Sequence, residues 1–316
     1  MTPRRWMLIR VVVSASMVVY LLRQIAIADV ATVLGRGFRE WPLLAVAATL
    51  PAAGLFISGL RWQLLLSIHG KRAVMRSLFS ALLVGCFFNQ FLPTTIGGDV
   101  ARSRWTSSLF GSRLVSLTVV GVDRILGLVG VCAVGAAAAL AGASVVDRVP
   151  GLWILASAAV VGVAGLAASA SLAIAWVAKP AGRRRFPAAA GPKVQLVWSA
   201  LTTFGSKKRR LALAVLLSIA LQVVIVIQYF ALTAALGVHV SLWNLSIIVS
   251  VVTLISLAPI SINGIGLREN ALIVLGAPVG LSANAAAAIG ALCAAILLGY
   301  GLAGGVIYMR SVRQGA

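Results

Sequence analysis

Along the chain, runs of about twenty apolar residues alternate with short polar stretches, and a helix of that length covers roughly 30 Å of hydrocarbon. The runs predict full spans near 7–27, 42–65, 114–142, 151–178, 211–236 and 283–309. Two more apolar segments, near 74–92 and 242–260, end at helix-breaking interruptions. A shorter, less apolar helical stretch follows each of them, near 98–110 and 265–276. Each pair predicts a broken-helix hairpin that enters the membrane and leaves by the side it came from.

The two interruptions resemble each other. Asn89-Gln-Phe-Leu-Pro93-Thr94-Thr-Ile-Gly97-Gly98-Asp99-Val-Ala-Arg102 returns, weakened, as Pro259-Ile-Ser-Ile-Asn263-Gly264-Ile-Gly266-Leu-Arg268-Glu269. In both, proline is followed five residues later by glycine and nine residues later by arginine. Segments 42–142 and 211–309 then share one order of span, hairpin, span, with their prolines 166 residues apart. An odd number of full spans separates the two starts, so the units are expected to be inverted, an arrangement that recurs among transporters with broken helices. The expected fold is an all-α polytopic membrane protein: one domain over 1–316, with six full spans, two re-entrant hairpins and an inverted repeat.

Composition removes the soluble alternatives. The chain is 316 residues long, 61% hydrophobic and 10% charged, which leaves no soluble domain of any size. Its formal charge is +21, from 27 Lys and Arg against six acidic residues. Those basic residues sit in short loops, as the positive-inside rule requires, so they argue orientation and not nucleic-acid binding. With six spans and two hairpins, twenty basic residues fall on one side, and only Arg23, Arg36, Arg39, Arg148 and Arg268 on the other. Both termini are therefore expected in the cytoplasm. A full crossing at 74–92 would instead send Arg183–Arg185 and Lys207–Arg210 outside, so charge favours the hairpin.

The N-terminal run, with Arg4, Arg5 and Ala26-Ile27-Ala28, has the look of a cleavable signal and is read as an uncleaved first span. The stretch 179–210 is a basic cytoplasmic loop in which Val194–Phe204 fits an amphipathic surface helix. Attraction to anionic head groups would add about 1 kcal/mol per basic residue near the surface. Cys86, Cys132 and Cys293 lie far apart within apolar runs and read as packing residues, and His69 and His239 are loop residues. No metal site or cofactor is expected.

Chemistry concentrates at the interruptions. Three of the six acidic residues, Asp99, Asp123 and Glu269, lie in or beside membrane segments. Charge at a bilayer centre costs on the order of 2.5–3.5 kcal/mol even on lenient scales, so such groups face protein and pair. Asp99 and Arg102 are one helical turn apart, and Asp123-Arg124 falls near mid-depth of its span. Pro93 and Pro259 stop the incoming helices, and glycines permit the turn. New helices would start at Thr94–Gly98 and at Ser261–Gly264, where unpartnered amides and the positive end of the helix dipole suit an anion. Thr94, Gly97, Gly98, Gly264 and Gly266 would then line a head-group site. Arg102, Arg124 and Arg268 would clamp a phosphate, while Asp99, Asp123 and Glu269 hold those arginines and are candidates to carry protons. Asn89, one turn before Pro93, would satisfy carbonyls freed by the break, and Arg61 reads as a residue snorkelling to the interface. No HExxH, Walker or GxSxG motif is present, and Gly264-Ile-Gly266 lacks the strand context of a dinucleotide site.

At these residues the chain resembles the flippase-like membrane domain of bacterial lysylphosphatidylglycerol synthase (the multiple peptide resistance factor) and its stand-alone relatives. The resemblance rests on Asn89-x3-Pro93-x3-Gly97-Gly98-Asp99-x2-Arg102, on Val122-Asp123-Arg124-Ile125, and on Pro259…Gly264-Ile-Gly266-Leu-Arg268-Glu269. It covers about residues 5–310. It implies movement of lipids between leaflets of a bacterial inner membrane, with aminoacylated phospholipids, polyprenol-linked sugars and hopanoid-related lipids as substrate classes. Where relatives often carry a proline–glycine pair, this chain has Ile262-Asn263, and asparagine accepts left-handed geometry better than most residues. No aminoacyl-transferase domain precedes Ala316, so any lipid-modifying enzyme is expected to be a separate partner.

The expected function is a flippase-like transporter of an anionic or polyprenol-linked lipid, with no enzymatic activity of its own. The alternatives are a non-transporting scaffold that recruits a lipid- or glycan-modifying enzyme through 179–210, an enzyme using an intramembrane carboxylate, and a small-molecule carrier.

Overall fold

The computed structural model describes residues 3–91, 97–142, 144–149, 151, 192–205, 207–257, 264 and 266–314. The described residues form helices and turns without strands. In chain order the helices are α1 (Pro3–Gln24), α2 (Ile27–Arg39), α3 (Trp41–Ile68), α4 (Met75–Phe91), α5 (Gly97–Phe110) and α6 (Arg113–Leu140). After them come α7 (Val145–Arg148), α8 (Pro192–Gly205), α9 (Lys208–Ala235), α10 (Leu242–Leu257), α11 (Leu267–Gly276) and α12 (Ala283–Gln314). The expected element boundaries agree to within a few residues for α3 to α6 and α9 to α12. The expected span at 151–178 lies outside the described residues.

Among the described residues four helices, α3, α6, α9 and α12, are long and apolar enough to cross a membrane, which makes this a multi-pass membrane protein. The N-terminal region departs from the simple reading of a span followed by a connection. Val12–Arg23 and Ala28–Arg39 meet at 87°, and the pair would supply a fifth span only if taken together. α2 turns its apolar side inward, with Val30, Val33 and Leu34 packed on the core, and leaves Arg36, Phe38 and Arg39 exposed. Spacing of three and four residues places those apolar side chains on one stripe. Run length alone gives no element between 27 and 42, because the stripe is too narrow to raise local hydropathy.

Contacts at the helix ends fix how the elements run. Arg210 Nη1 donates to the Ser67 carbonyl at 2.6 Å, and Trp105 Nε1 donates to Ser77 Oγ at 2.9 Å. The His69 ring stands edge-on to Phe204 at 4.6 Å and to Phe110 at 5.8 Å. The end of α3, the start of α4, the end of α5, α8 and the start of α9 therefore share one end of the bundle, where Lys71, Arg72, Arg113 and Lys207 are exposed. At the other end the Val145 amide donates to Asn244 Oδ1 at 3.0 Å, and Arg148 Nη1 to the Pro278 carbonyl at 2.9 Å. The Ala26 amide reaches Asn284 Oδ1 at 3.3 Å. That end thus gathers α7, the start of α10, the turn after α11 and the start of α12.

In lipid, helices associate through close packing of small residues. α3 lies along α9, α4 along α12, and α6 along both α9 and α10. Glycines make these approaches possible. A Cβ on Gly135 would sit 3.1 Å from Ser250 Cβ, one on Gly130 would overlap Ser218, and one on Gly305 would meet the Phe87 ring at 2.8 Å. Two apolar clusters result. One, at the basic end, gathers Trp62, Leu65, Leu66, Leu78, Leu82 and Phe204, and the larger one centres on α9 to α12.

Candidate functional site: an arginine–aspartate network at a broken helix

The first motif builds its site from the start of α5. Gly98 is needed there for contact: a Cβ would lie 2.6 Å from both Asn89 Oδ1 and the Gly85 carbonyl of α4. With no side chain, the start of α5 presses against α4, and the Gly98 amide donates to Asn89 Oδ1 at 2.9 Å. Asn89 thus caps an amide of the new helix instead of serving a carbonyl of the old one. The expectation of an open amide at Gly98 is corrected accordingly, because the break supplies its own acceptor. Pro93 and Thr94 lie outside the described residues.

One turn into α5, Asp99 and Arg102 point toward α6. Arg102 Nη2 donates to Asp123 Oδ2 at 3.0 Å, and Arg102 Nη1 lies 3.9 Å from Asp99 Oδ1. Arg124 Nε pairs with Asp99 Oδ2. The other Asp123 oxygen accepts from Arg61 Nε at 2.7 Å, and Arg61 Nη1 donates to Ser218 Oγ of α9 at 2.8 Å. The Arg102 guanidinium also stacks on Trp62, with Cζ 4.3 Å from the ring centroid, a cation–π contact that is stronger when desolvated. Five charged side chains from α3, α5 and α6 are therefore tied into one chain of bonds and anchored to α9.

Arg61 corrects an expectation. It is 5% exposed and does not snorkel. α3 continues to Ile68, three residues beyond the expected end at 65, which puts Arg61 about one turn deeper than its place in the sequence suggests. Asp123 is the tenth residue after the start of α6, and Ser218 the tenth after the start of α9. At 1.5 Å per residue both lie about 15 Å from the basic end, close to half the thickness of a hydrocarbon core. Nothing in the chain singles out Arg61 as the second partner, because run length fixes a helix end only to within about a turn.

Burial is graded across the network. The side chains of Asp123 and Arg61 are 2% and 6% exposed, those of Arg102 and Asp99 10% and 14%, and that of Arg124 35%. A dry ion-pair core thus leads outward to an accessible guanidinium. Arg102 Nε is buried and donates to no partner among the described residues.

The second motif is built differently. Gly264 and Gly266 both have φ of +76°, the left-handed region that glycine enters without a Cβ penalty. Glu269 Oε2 accepts the Gly266 amide at 2.7 Å, a side chain reaching back to cap its own helix. Besides its expected role beside an arginine, Glu269 answers the free amide created by the break. The Gly266 amide is likewise taken and not open. Asn270 Nδ2 donates to the Gly266 carbonyl at 2.6 Å and to the Met17 carbonyl of α1 at 3.0 Å. A Cβ on Gly264 would lie 3.7 Å from Arg268 Nη2, which places that guanidinium over the turn. Pro259 and Asn263 lie outside the described residues. The structure thus joins Asp99, Arg102, Asp123 and Arg124, adds Arg61, and groups Gly264, Gly266, Arg268 and Glu269 at the start of α11.

Comparison with known proteins gives one family. The family model described as the lysylphosphatidylglycerol synthase TM region matches residues 7–304. No curated protein and no solved structure matches the chain.

Proposed function

Because the chain belongs to the family of the lysylphosphatidylglycerol synthase membrane region, whose matched segment holds both broken-helix motifs, we propose that it carries a lipid between leaflets by way of the arginine–aspartate network. The observation that carries this reading is the graded burial of that network, from the dry Arg61–Asp123 pair to the accessible Arg124. A purely structural ion-pair cluster gains nothing from ending in an accessible guanidinium at mid-depth, whereas a head-group site requires one. A lipid phosphate entering beside Arg124 finds a fork-shaped donor that Asp99 holds in place, while its acyl chains stay in the bilayer.

In this reading the pairs α4–α5 and α10–α11 are re-entrant hairpins that enter from opposite sides. Support comes from where their ends lie: Trp105 meets Ser77 at the basic end, and Arg148 reaches Pro278 at the other. The packing of α4 on α12 and of α10 on α6 exchanges the same partners between halves, as an inverted repeat does. Rocking of one half against the other then opens the site to each leaflet in turn. The basic end faces the cytoplasm of a bacterial inner membrane, as the positive-inside rule demands. The protein moves its lipid without modifying it, and a separate enzyme makes that lipid.

The test uses the full chain in vesicles carrying tail-labelled phosphatidylglycerol. Arg124→Ala and Arg102→Ala should each slow lipid movement at least about tenfold, the effect of losing roughly 1.4 kcal/mol of phosphate contact. Wild-type rates in both variants would overturn the assignment.

A further inference from the structure

We infer that Trp62 Nε1 and Arg102 Nε together hold a single halide-sized anion, chloride in the cell, inside the helix bundle. This site stands apart from the transport reading, because it lies in the dry core of the network and not at its accessible edge.

Two independent observations meet there, and the first is charge. Arg61 and Arg102 both bind Asp123, so two guanidiniums face one carboxylate and the group carries a surplus of one positive charge. Asp99 lies 3.9 Å from Arg102 Nη1, but it is paired with Arg124, and those two balance each other. Glu269 caps the start of α11, and Asp29, Glu40 and Asp147 are exposed, which accounts for all six acidic residues of the chain. An uncompensated charge at this depth is costly and favours a bound counter-ion. The second observation is hydrogen bonding. Trp62 Nε1 and Arg102 Nε can only donate, and neither finds an acceptor among the described residues. Buried donors left unpaired are rare in folded proteins. These two belong to one stacked pair: Arg102 Cζ lies 4.3 Å from the Trp62 ring centroid, and Nε is one bond from Cζ. One acceptor at the edge of that stack serves both N–H groups.

The surroundings narrow the ligand. Trp62 is 0% exposed and Arg102 8%, so the occupant is enclosed by protein. A water molecule satisfies both donors and leaves the charge unmet. A carboxylate or phosphate brings further oxygens that need donors, while Arg61 Nε, Arg61 Nη1 and Arg102 Nη2 are already committed to Asp123 and Ser218. A monoatomic anion answers the charge with the two free donors alone. It makes the Arg61–Asp123–Arg102 core neutral and fixes Arg102 on Trp62 without drawing on Arg124.

The test uses the full-length protein in detergent, dialysed into sodium gluconate and titrated with sodium bromide at constant ionic strength. An ion that binds only the folded state raises the unfolding temperature with the logarithm of its concentration above the Kd, by about 2–4 °C for each tenfold step. Inorganic phosphate at the same ionic strength should give no such rise. Trp62→Phe keeps a ring against Arg102 and removes the N–H, and should flatten the bromide slope. Crystals of the unmodified protein grown in bromide should show an anomalous peak in contact with both nitrogens. A flat bromide titration overturns the inference, as does an equal gain from phosphate, an unchanged slope in a folded Trp62→Phe variant, or bromide that binds only elsewhere. The titration and the peak in the unmodified protein decide the matter where the variant fails to fold.

Discussion

Asp123 shows at the scale of single residues how this protein tolerates charge in an apolar setting. Its carboxylate is buried with one arginine on each oxygen, and Arg61 in turn is held by Ser218. Removing one member of such a pair leaves an uncompensated buried charge and typically costs about 3–5 kcal/mol, whereas losing one hydrogen bond to a charged group costs about 1–3 kcal/mol. Arg61→Ala should therefore destabilise the folded protein clearly more than Ser218→Ala, as read from unfolding in detergent. Equal effects would mean that Arg61 is not held by Asp123. The pairing of Asp99 and Asp123 with neighbouring arginines was legible in the sequence, because acidic residues are scarce and sit at the breaks. Arg61 was not, since hydropathy gives where a helix stops only to within a turn, and one turn separates an interfacial arginine from a buried one. Nor does a sequence say which carboxylate oxygen faces which helix.

Among the elements, the start of α5 is the sharpest test of how a membrane helix is restarted. Its position is set by the absence of a side chain at Gly98 and by the side-chain oxygen Oδ1 of Asn89. Gly98→Ala should push α5 off α4 and move Asp99 and Arg102 with it, reducing lipid movement by at least about tenfold, since an ångström of misplacement at a binding group can cost more. Gly121→Ala in α6 is the matched control. Nothing lies within 4 Å of its added Cβ, and alanine is about 1 kcal/mol better than glycine in a helix interior. That variant should keep both transport and stability. Comparable loss in both would show that the close contact at Gly98 does not position the site. The breaks between α4 and α5 and between α10 and α11 were readable because proline and glycine punctuate an apolar run. α2 was not, because an amphipathic helix lying across the bundle end betrays itself by periodicity and not by hydropathy.

For the whole molecule, the arrangement of ends leads to a topology that a single labelling experiment decides. Arg72 precedes α4 and Arg113 follows α5, and both are exposed. If α4 and α5 enter and leave on one side, cysteines at these two positions react with a membrane-impermeant maleimide from the same side. If α4 crossed fully, they would react from opposite sides. The second hairpin makes the mirrored demand: cysteines at Asp147 and Ser282, exposed beside the start of α10 and after the turn that follows α11, should label together from the other side. The native thiols are buried or half-buried within helices, so a background without Cys86, Cys132 and Cys293 should fold normally. With the basic end cytoplasmic, whole cells should label Asp147→Cys and Ser282→Cys, while Arg72→Cys and Arg113→Cys react only after the membrane is opened. Labelling of Arg113→Cys but not Arg72→Cys in whole cells would turn the first hairpin into a crossing and remove the two-sided access that the transport reading requires. The charge network would then stand as a structural clamp between α3, α6 and α9, with no path for a head group from one leaflet to the other.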